Sequence, residues 1–576
     1  MTTNEQEDVI EMRFSKHIND NTIEALFLCV LVGSLLWYVN GNLYAHSINH
    51  TLPYSYFASD GFAYLFLTEH VYESGNQKYH PYYATAGFSD VLWQHGLTIY
   101  SVSAIFSRTT GLEIYDSLYF IATIFVILNA LGVYLILRNY NRKLAMISAG
   151  FFAFLFVKNF YVTYLWGQLG AVSGMLFLTA ALWSIDKIDL KRSMVLITLF
   201  FTSALLTHIP EFIFAGAFIF VYLIIRFFVE KKIHTNHLKK IIIAGIITLV
   251  ISSYYIVVFQ YGVYQTQGSN PLVMSVETAS AGLKVASFTD FGWVFVIALI
   301  LGVLASVYFM WTEKKTIFAL LFGMILLLLG FSNYYGFGLR AFHLRAFWPL
   351  YIAVLIGFFI YFILKTFIKK LPVIACAIIA LVLFGSIVSS YYTPMSGPGA
   401  ITQNQYDAFT WINKNTQPED KILLFYGDGY SQSGRLIHRL TWNIDANDYF
   451  ASLQAGQLRR AYKAELLTLT QGNLMYWKGF MKPGYYALEE NFTTYTTEQD
   501  TCAFNYYVFD LASAYVPPAG QANAYVANMF IANNMTVAYK NQAVVVIQNH
   551  NLGAPCLTQI PKSNSTNNSL NTSTKP

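Results

Sequence analysis

The chain has 576 residues, of which 55% are hydrophobic, 17% aromatic and 12% charged, with a formal net charge of +5. With a mean hydropathy of +0.43, this excludes a soluble multi-domain protein and specifies a polytopic α-helical membrane protein. The net charge says little by itself, because in such a protein the placement of Lys and Arg carries the information.

Residues 1–22 are polar and rather acidic. No small-residue cleavage site follows the first apolar run, so 23–40 reads as a retained signal anchor. Further apolar runs lie near 117–137, 144–162, 166–185, 193–208, 210–229, 241–261, 291–311, 316–332, 347–365 and 371–391. That makes about eleven spans of a length suited to roughly 30 Å of hydrocarbon. Pro210 splits one long apolar stretch into two of them. Basic residues then fall in every second connection: Arg138, Arg142 and Lys143; Lys187, Lys191 and Arg192; Arg226, Lys231, Lys232, Lys239 and Lys240; Lys314 and Lys315; Lys365, Lys369 and Lys370. By the positive-inside rule these connections and the N-terminus are cytoplasmic. An odd number of spans leaves everything after Tyr391 outside. This alternation holds only if 97–110 does not cross, so that segment reads as a helix lying on the outer surface within a long first outer loop, 41–116.

From Tyr392 the apolar periodicity changes. A short amphipathic helix over 406–413 and buried strands at 421–426 and 543–547 predict an extracytoplasmic α/β or α+β domain over 392–561. A Ser/Asn/Thr tail, 562–576, has a disordered composition. Cys502 and Cys556 are the disulfide candidates, because both lie in this polar region whereas Cys29 and Cys376 fall in apolar spans. Asn-x-Ser/Thr sequons begin at Asn49, Asn491, Asn534, Asn564, Asn567 and Asn571, all in segments assigned outside.

Ionisable groups on the outer side stand out, since polar groups at membrane depth are costly and often functional. They are Asp60, Glu69, His70, Glu73, Asp90 and His95 in the first loop; Lys158; His208 and Glu211 around Pro210; Lys284 and Asp290; then Arg340, His343 and Arg345. The two guanidiniums suit a phosphate, which they bind bidentately while staying charged; the alternative is two snorkelling anchors at a helix end. Asp60 follows Ser59 at a helix start, where an acid is also an ordinary dipole partner. Acid and imidazole at 208–211 suit a metal, a sugar or each other. The sequence has no paired Asp-x-Asp and no His-Glu-x-x-His, so a divalent metal is left open and no other cofactor is indicated. Tyr161 to Gln168 forms an interfacial aromatic belt in which Trp166 is also suited to line a saccharide pocket.

The order of parts resembles the GT-C superfamily of integral-membrane glycosyltransferases, which use polyprenyl-phosphate-linked sugars. The resemblance is carried by Ser59-Asp60-Gly61-Phe62 with His80-Pro81-Tyr82-Tyr83 and Gln94-His95-Gly96-Leu97, by Leu112 to Leu118, by Arg138 to Ala145, by Trp166-Gly167-Gln168 and by Arg345 to Leu350. It implies that the acid in the first outer loop, Asp60, is the catalytic base or a metal ligand, and that 97–110 is a juxtamembrane helix. Trp411 to Tyr430 resembles the start of the outer domain of oligosaccharyltransferases. Their Trp-Trp-Asp-Tyr-Gly motif is replaced here by Phe425-Tyr426-Gly427-Asp428-Gly429-Tyr430, and the Asp-x-Asp of a second outer loop is missing.

The expected activity is therefore inverting transfer of a sugar from a polyprenyl-phosphate donor to a glycan, lipid or protein acceptor on the outer face. A phosphate leaving group needs its charge stabilised and an acceptor hydroxyl needs a base. Asp60 fills the second role, Arg340, His343 and Arg345 the first, and Glu69, His70, His95, Trp166, His208 and Glu211 position substrate. Asparagine-linked glycan transfer, a flippase or transporter of lipid-linked saccharide, and a non-catalytic binding protein are the alternatives. The partners are membrane lipid, the lipid-linked sugar and the acceptor, with no nucleic acid, in a cell membrane or its equivalent.

Overall fold

The computed structural model describes residues 19–43, 59–85, 87, 91–93, 96–153, 169–259, 293–312, 317–330, 344–368, 371–391, 401–425, 431–444, 446–457, 459–466, 474–478, 482–486, 496–511, 517–554 and 556. The chain divides into two compact units. The first comprises Met1–Tyr79, Leu92–Gly399 and Met475–Tyr486, and the second His80–Val91, Ala400–Leu474 and Ala487–Pro576.

The first unit is helical. In chain order its helices are α1 (Asp20–Leu43), α2 (Ser59–Ser74), α3 (Thr98–Thr110), α4 (Ile114–Arg138), α5 (Arg142–Phe151), α6 (Leu169–Asp186), α7 (Ser193–Thr207), α8 (Ile209–Glu230), α9 (Thr235–Ile251), α10 (Ser253–Phe259), α11 (Trp293–Thr312), α12 (Ile317–Gly330), α13 (Leu344–Phe367) and α14 (Val373–Tyr391). Among the described residues six helices are long and apolar enough to cross a membrane: Asp20–Tyr38, Ile114–Arg138, Leu169–Asp186, Ile209–Glu230, Leu350–Phe367 and Val373–Ser390. Ser193–Thr207 and Val296–Thr312 are shorter apolar helices.

Helix α3 coincides with the segment expected not to cross. Its buried face is Ile99, Tyr100, Ser103, Ala104 and Ser107, and Gly111, with φ of 75°, ends it by donating to the Ser107 carbonyl. The break at Pro210 is also local. His208 is extended, with φ of −158°, and the proline sits in the first turn of α8, where its missing N–H costs nothing. Glycines bring helices into close contact elsewhere: a Cβ at Gly150 would lie 2.4 Å from the Ala380 carbonyl oxygen, and one at Gly357 2.0 Å from Ser148 Oγ.

Among the described residues, the basic connections at 138–143, 187–192 and 226–240 are tied by hydrogen bonds and ion pairs to one another or to α1 at one end of the bundle. Arg138 and Arg142 pair with Glu24, to which the Tyr134 hydroxyl also donates. Asn139 and Tyr140 donate to Asp186. His237 Nε2 bonds Asp189 at 2.7 Å, and Lys240 donates to the Ile188 carbonyl at 2.6 Å.

The second unit is built on a seven-stranded sheet, with β1 (Lys421–Phe425), β2 (Leu440–Ile444), β3 (Ala461–Leu466), β6 (Thr496–Asp500), β7 (Tyr506–Asp510), β8 (Thr536–Lys540) and β9 (Val544–Gln548) in the order β6-β3-β2-β1-β7-β9-β8. Strands β4 (Leu474–Lys478) and β5 (Lys482–Tyr486) pair separately, and apart from Leu474 they belong to the first unit. Strands β2, β1 and β7 run parallel and the outer pairs antiparallel. The central strands are buried nearly throughout, which is why 421–425 and 544–548 read as continuous apolar runs rather than alternating ones. Phe425, Phe509, Tyr507, Phe530, Val545 and Ile547 form the core, with the Phe425 and Phe509 rings stacked at 4.5 Å. Helix α15 (Gln403–Asn415) starts with a capping box between Thr402 and Gln405. Helices α16 (Ala446–Gln454) and α17 (Pro517–Ala532) complete the unit. Cys502 and Cys556 are joined by a disulfide with Cα atoms 5.3 Å apart.

Candidate active site

Helix α2 carries Asp60 in its first turn. One turn later on the same stripe is Tyr64. The Gly170 N–H, at the start of α6, donates to the Tyr64 hydroxyl at 3.0 Å. Gly170 also borders His208, since a Cβ at that glycine would lie 2.4 Å from Tyr64 Oη and 3.7 Å from His208 Cδ2. One turn further along α6, a Cβ at Gly174 would lie 2.7 Å from Glu211 Oε2 and 2.9 Å from His208 Cβ. His208 Nδ1 bonds the Glu211 carboxylate, and the imidazole is 37% exposed where the acid is 1% exposed.

The start of α3 joins the same end of the bundle. The Leu97 N–H donates to the Leu206 carbonyl at 2.7 Å, and the Thr98 and Thr207 hydroxyls are 2.5 Å apart. A Cβ at Gly96 would lie 1.9 Å from the Thr207 carbonyl oxygen, so only glycine fits there. Tyr64 stacks on Tyr100 at 5.2 Å, and Trp93 meets Tyr100 edge-on. Polar groups from α2, α3, α6 and the α7–α8 junction thus converge at the end of the bundle opposite the basic connections.

The first loop also enters the second unit. At its neck, the Trp93 N–H donates to the Lys78 carbonyl at 3.2 Å and the His80 N–H to the Val91 carbonyl at 2.8 Å. Beyond it, the Tyr83 ring stacks on His438 at 4.8 Å, and the Tyr82 hydroxyl donates to the Pro418 carbonyl. Burial pushes the Tyr82 hydroxyl up in pKa, against the pull of Arg439. Arg439 is itself held by the carbonyls of Asn413, Thr416 and His438. Burial draws the nearby Arg435 guanidinium down to about 10, opposed by Glu465, whose own carboxyl burial pushes up.

Of the residues singled out from the sequence, His208 and Glu211 are in direct contact and Asp60 is on the helix that reaches them through Tyr64. His70 Nε2 bonds the Tyr79 carbonyl at 3.3 Å, tying α2 to the neck, and Glu69 lies beside it in α2. Asp60 and Arg345 are placed by their helices alone, in the first turns of α2 and α13. His95, Trp166, Arg340 and His343 lie outside the described residues, as do Asp90, Lys158, Lys284, Asp290, residues 426–430, the tail 562–576 and every sequon asparagine except Asn534. Among the described residues no three His, Cys, Asp or Glu side chains converge to hold a metal ion. Tyr64, Gly170 and Gly174 were missed by sequence reasoning. Their signals are the spacing of Asp60 and Tyr64, four apart on one helix, and the Gly-x-x-x-Gly spacing of 170 and 174.

No protein-family model matches this sequence, and no curated protein matches it, so likeness enters through structure. The chain is similar to the oligosaccharyltransferase of Archaeoglobus fulgidus in complex with Zn and sulfate, with 14% identity and a TM-score of 0.51. That match covers 72% of this chain and 62% of that one, under two thirds of its length. The apo form of that enzyme matches with 12% identity and a TM-score of 0.52, over 88% of this chain and 83% of that one. ArnT from Cupriavidus metallidurans bound to undecaprenyl phosphate matches with 10% identity and a TM-score of 0.52, over 93% of this chain and 99% of that one. At these identities the likeness is one of fold, and the chain has the GT-C fold that its sequence resemblance implied.

Proposed function

We propose that this protein is a GT-C-type membrane glycosyltransferase that moves a sugar from a polyprenyl-phosphate donor to a glycan, lipid or protein acceptor on the outer face of the membrane, with inversion. The observation that carries this reading is a GT-C fold in which the helix after the first span bears an acid, Asp60, in its first turn, one turn from the Tyr64 contact with Gly170. Asp60 is the base that activates the acceptor hydroxyl. Arg340, His343 and Arg345 hold the donor phosphate and its developing charge. His208 and Glu211 position substrate, joined by Glu69, His70, His95 and Trp166. About eleven spans over 23–391 put the N-terminus, 1–22, in the cytoplasm and the sheet domain, 392–561, outside. A second reading, asparagine-linked glycan transfer, is favoured by the fold shared with the archaeal oligosaccharyltransferase.

The test is to incubate membranes carrying the protein with labelled polyprenyl-phosphate sugars and follow the label into glycan, lipid or protein. Asp60→Asn is expected to abolish transfer while leaving protein level and donor binding intact. Normal turnover by that variant would remove Asp60 from the base role. Label appearing on asparagine would select the second reading.

A further inference from the structure

Glu211 is buried in the first turn of α8, and its one described polar partner is an imidazole that is far more open than the acid itself. When a carboxylate accepts a hydrogen bond from Nδ1–H, a neutral ring keeps an unshared pair on Nε2. A base held by an acid in this way is the arrangement that makes imidazoles useful towards hydroxyl groups. The packing fixes which way the ring is turned. Gly174 leaves room for His208 Cβ and the Glu211 carboxylate together, and Gly170 lies against Cδ2, the carbon next to Nε2. That same glycine touches the hydroxyl of Tyr64, so the Cδ2 edge of the ring and a phenol on the Asp60 helix share one neighbour.

The chemistry of this pair selects its ligand. An unprotonated Nε2 accepts a hydrogen bond and so prefers a donor. A phosphate in its dianionic form has no donor to offer and would meet the negative charge of Glu211. A sugar hydroxyl meets both conditions, because it donates to Nε2 and carries no charge.

We propose that His208 Nε2 receives a hydrogen bond from a hydroxyl of the saccharide substrate, with Glu211 as the positioning residue that fixes the tautomer. This rests on the glycosyltransferase reading for the substrate class, but the state of the ring does not. The Glu211 carboxylate holds the proton of Nδ1 in place while the ring takes the hydroxyl. The Asp60 helix reaches the same glycine, Gly170, through the hydroxyl of Tyr64.

Two measurements on the full chain in detergent test this. In protein labelled with nitrogen-15 histidine, the difference spectrum between wild type and His208→Gln should contain a neutral ring protonated at Nδ1. An imidazolium, or a ring protonated at Nε2, would overturn the proposal whatever the enzyme does. Glu211→Gln should shift the signal away from that tautomer. In transfer assays with labelled polyprenyl-phosphate sugar, His208→Gln should lower kcat/KM for the acceptor about tenfold or more, with donor binding unchanged. Glu211→Gln should do the same, and the double variant should be no worse than either. Wild-type transfer by His208→Gln alongside loss in Asp60→Asn would overturn the proposal and leave the glycosyltransferase intact. Absence of transfer by the wild type with every labelled donor would instead remove the parent reading and with it the saccharide, whereas the tautomer result would stand.

Discussion

Replacing Gly174 by alanine tests the packing beneath His208 and Glu211. The added methyl would lie 2.7 Å from Glu211 Oε2, 2.8 Å from its Cδ and 2.9 Å from His208 Cβ, where carbon contacts relax near 3.5–4.0 Å. The carboxylate can swing away, but His208 Cβ is fixed by an extended backbone between two helices. Overfilling of this kind costs about 1–3 kcal/mol. Moving Glu211 off the imidazole adds about 1–3 kcal/mol for a buried acid that loses its hydrogen bond. Against this, alanine in a helix gains roughly 1 kcal/mol over glycine, so a net loss of about 1–5 kcal/mol is expected. Gly216 is the control. It lies in α8 with nothing within 4 Å of its Cβ position, and alanine there should be neutral or mildly stabilising. Thermal unfolding of the detergent-solubilised protein, followed by tryptophan fluorescence, gives the ranking, and the transfer assay gives the functional consequence. If Gly174→Ala unfolds at the same temperature as Gly216→Ala and transfers equally well, the packing of His208 and Glu211 on α6 is refuted.

Three further expectations concern the second unit. Reducing the Cys502–Cys556 disulfide, which spans a sequence separation of 54, releases a loop whose closure in the unfolded chain corresponds to about 4 kcal/mol; denaturant unfolding with and without reductant measures it, and equal midpoints would contradict the estimate. Arg439→Lys should destabilise the unit by about 2–4 kcal/mol, because an ammonium cannot reach the Asn413, Thr416 and His438 carbonyls together; urea unfolding reports it. The Arg460 guanidinium bonded to Asp500 holds that carboxyl below the usual carboxylate range. Its contribution to stability is full above the ordinary aspartate value, about 3.9, and is lost as pH falls through the lower folded value. The stability gap between wild type and Asp500→Asn should therefore be present at neutral pH and close under strong acid, and it should be small because both groups face solvent. A gap that widens on acidification would contradict the sign.

What the sequence determined by itself was local. Hydropathy marked the helices, and the alternation of Lys and Arg set 97–110 apart as a segment expected not to cross; in the structure Thr98–Thr110 is a helix of 13 residues with one buried face, closed by Gly111. Pro210 marked the break between α7 and α8, and the runs at 421 and 543 announced two central strands. Each of these follows from the properties of neighbouring residues, such as a ring without an N–H or a strand buried on both faces. The tertiary structure alone decided that His80–Val91 belongs with the C-terminal unit and that Tyr82 and Tyr83 pack there. It also decided that Tyr64 meets Gly170 across 106 residues and that Gly174 makes room for His208 and Glu211. A phenol, a glycine and an acid look ordinary in isolation, because no local periodicity records which distant backbone will pass close enough to need the missing Cβ. The physical reason is that a glycine's value here lies in space left for another helix's side chain, and that space exists only once the helices have packed.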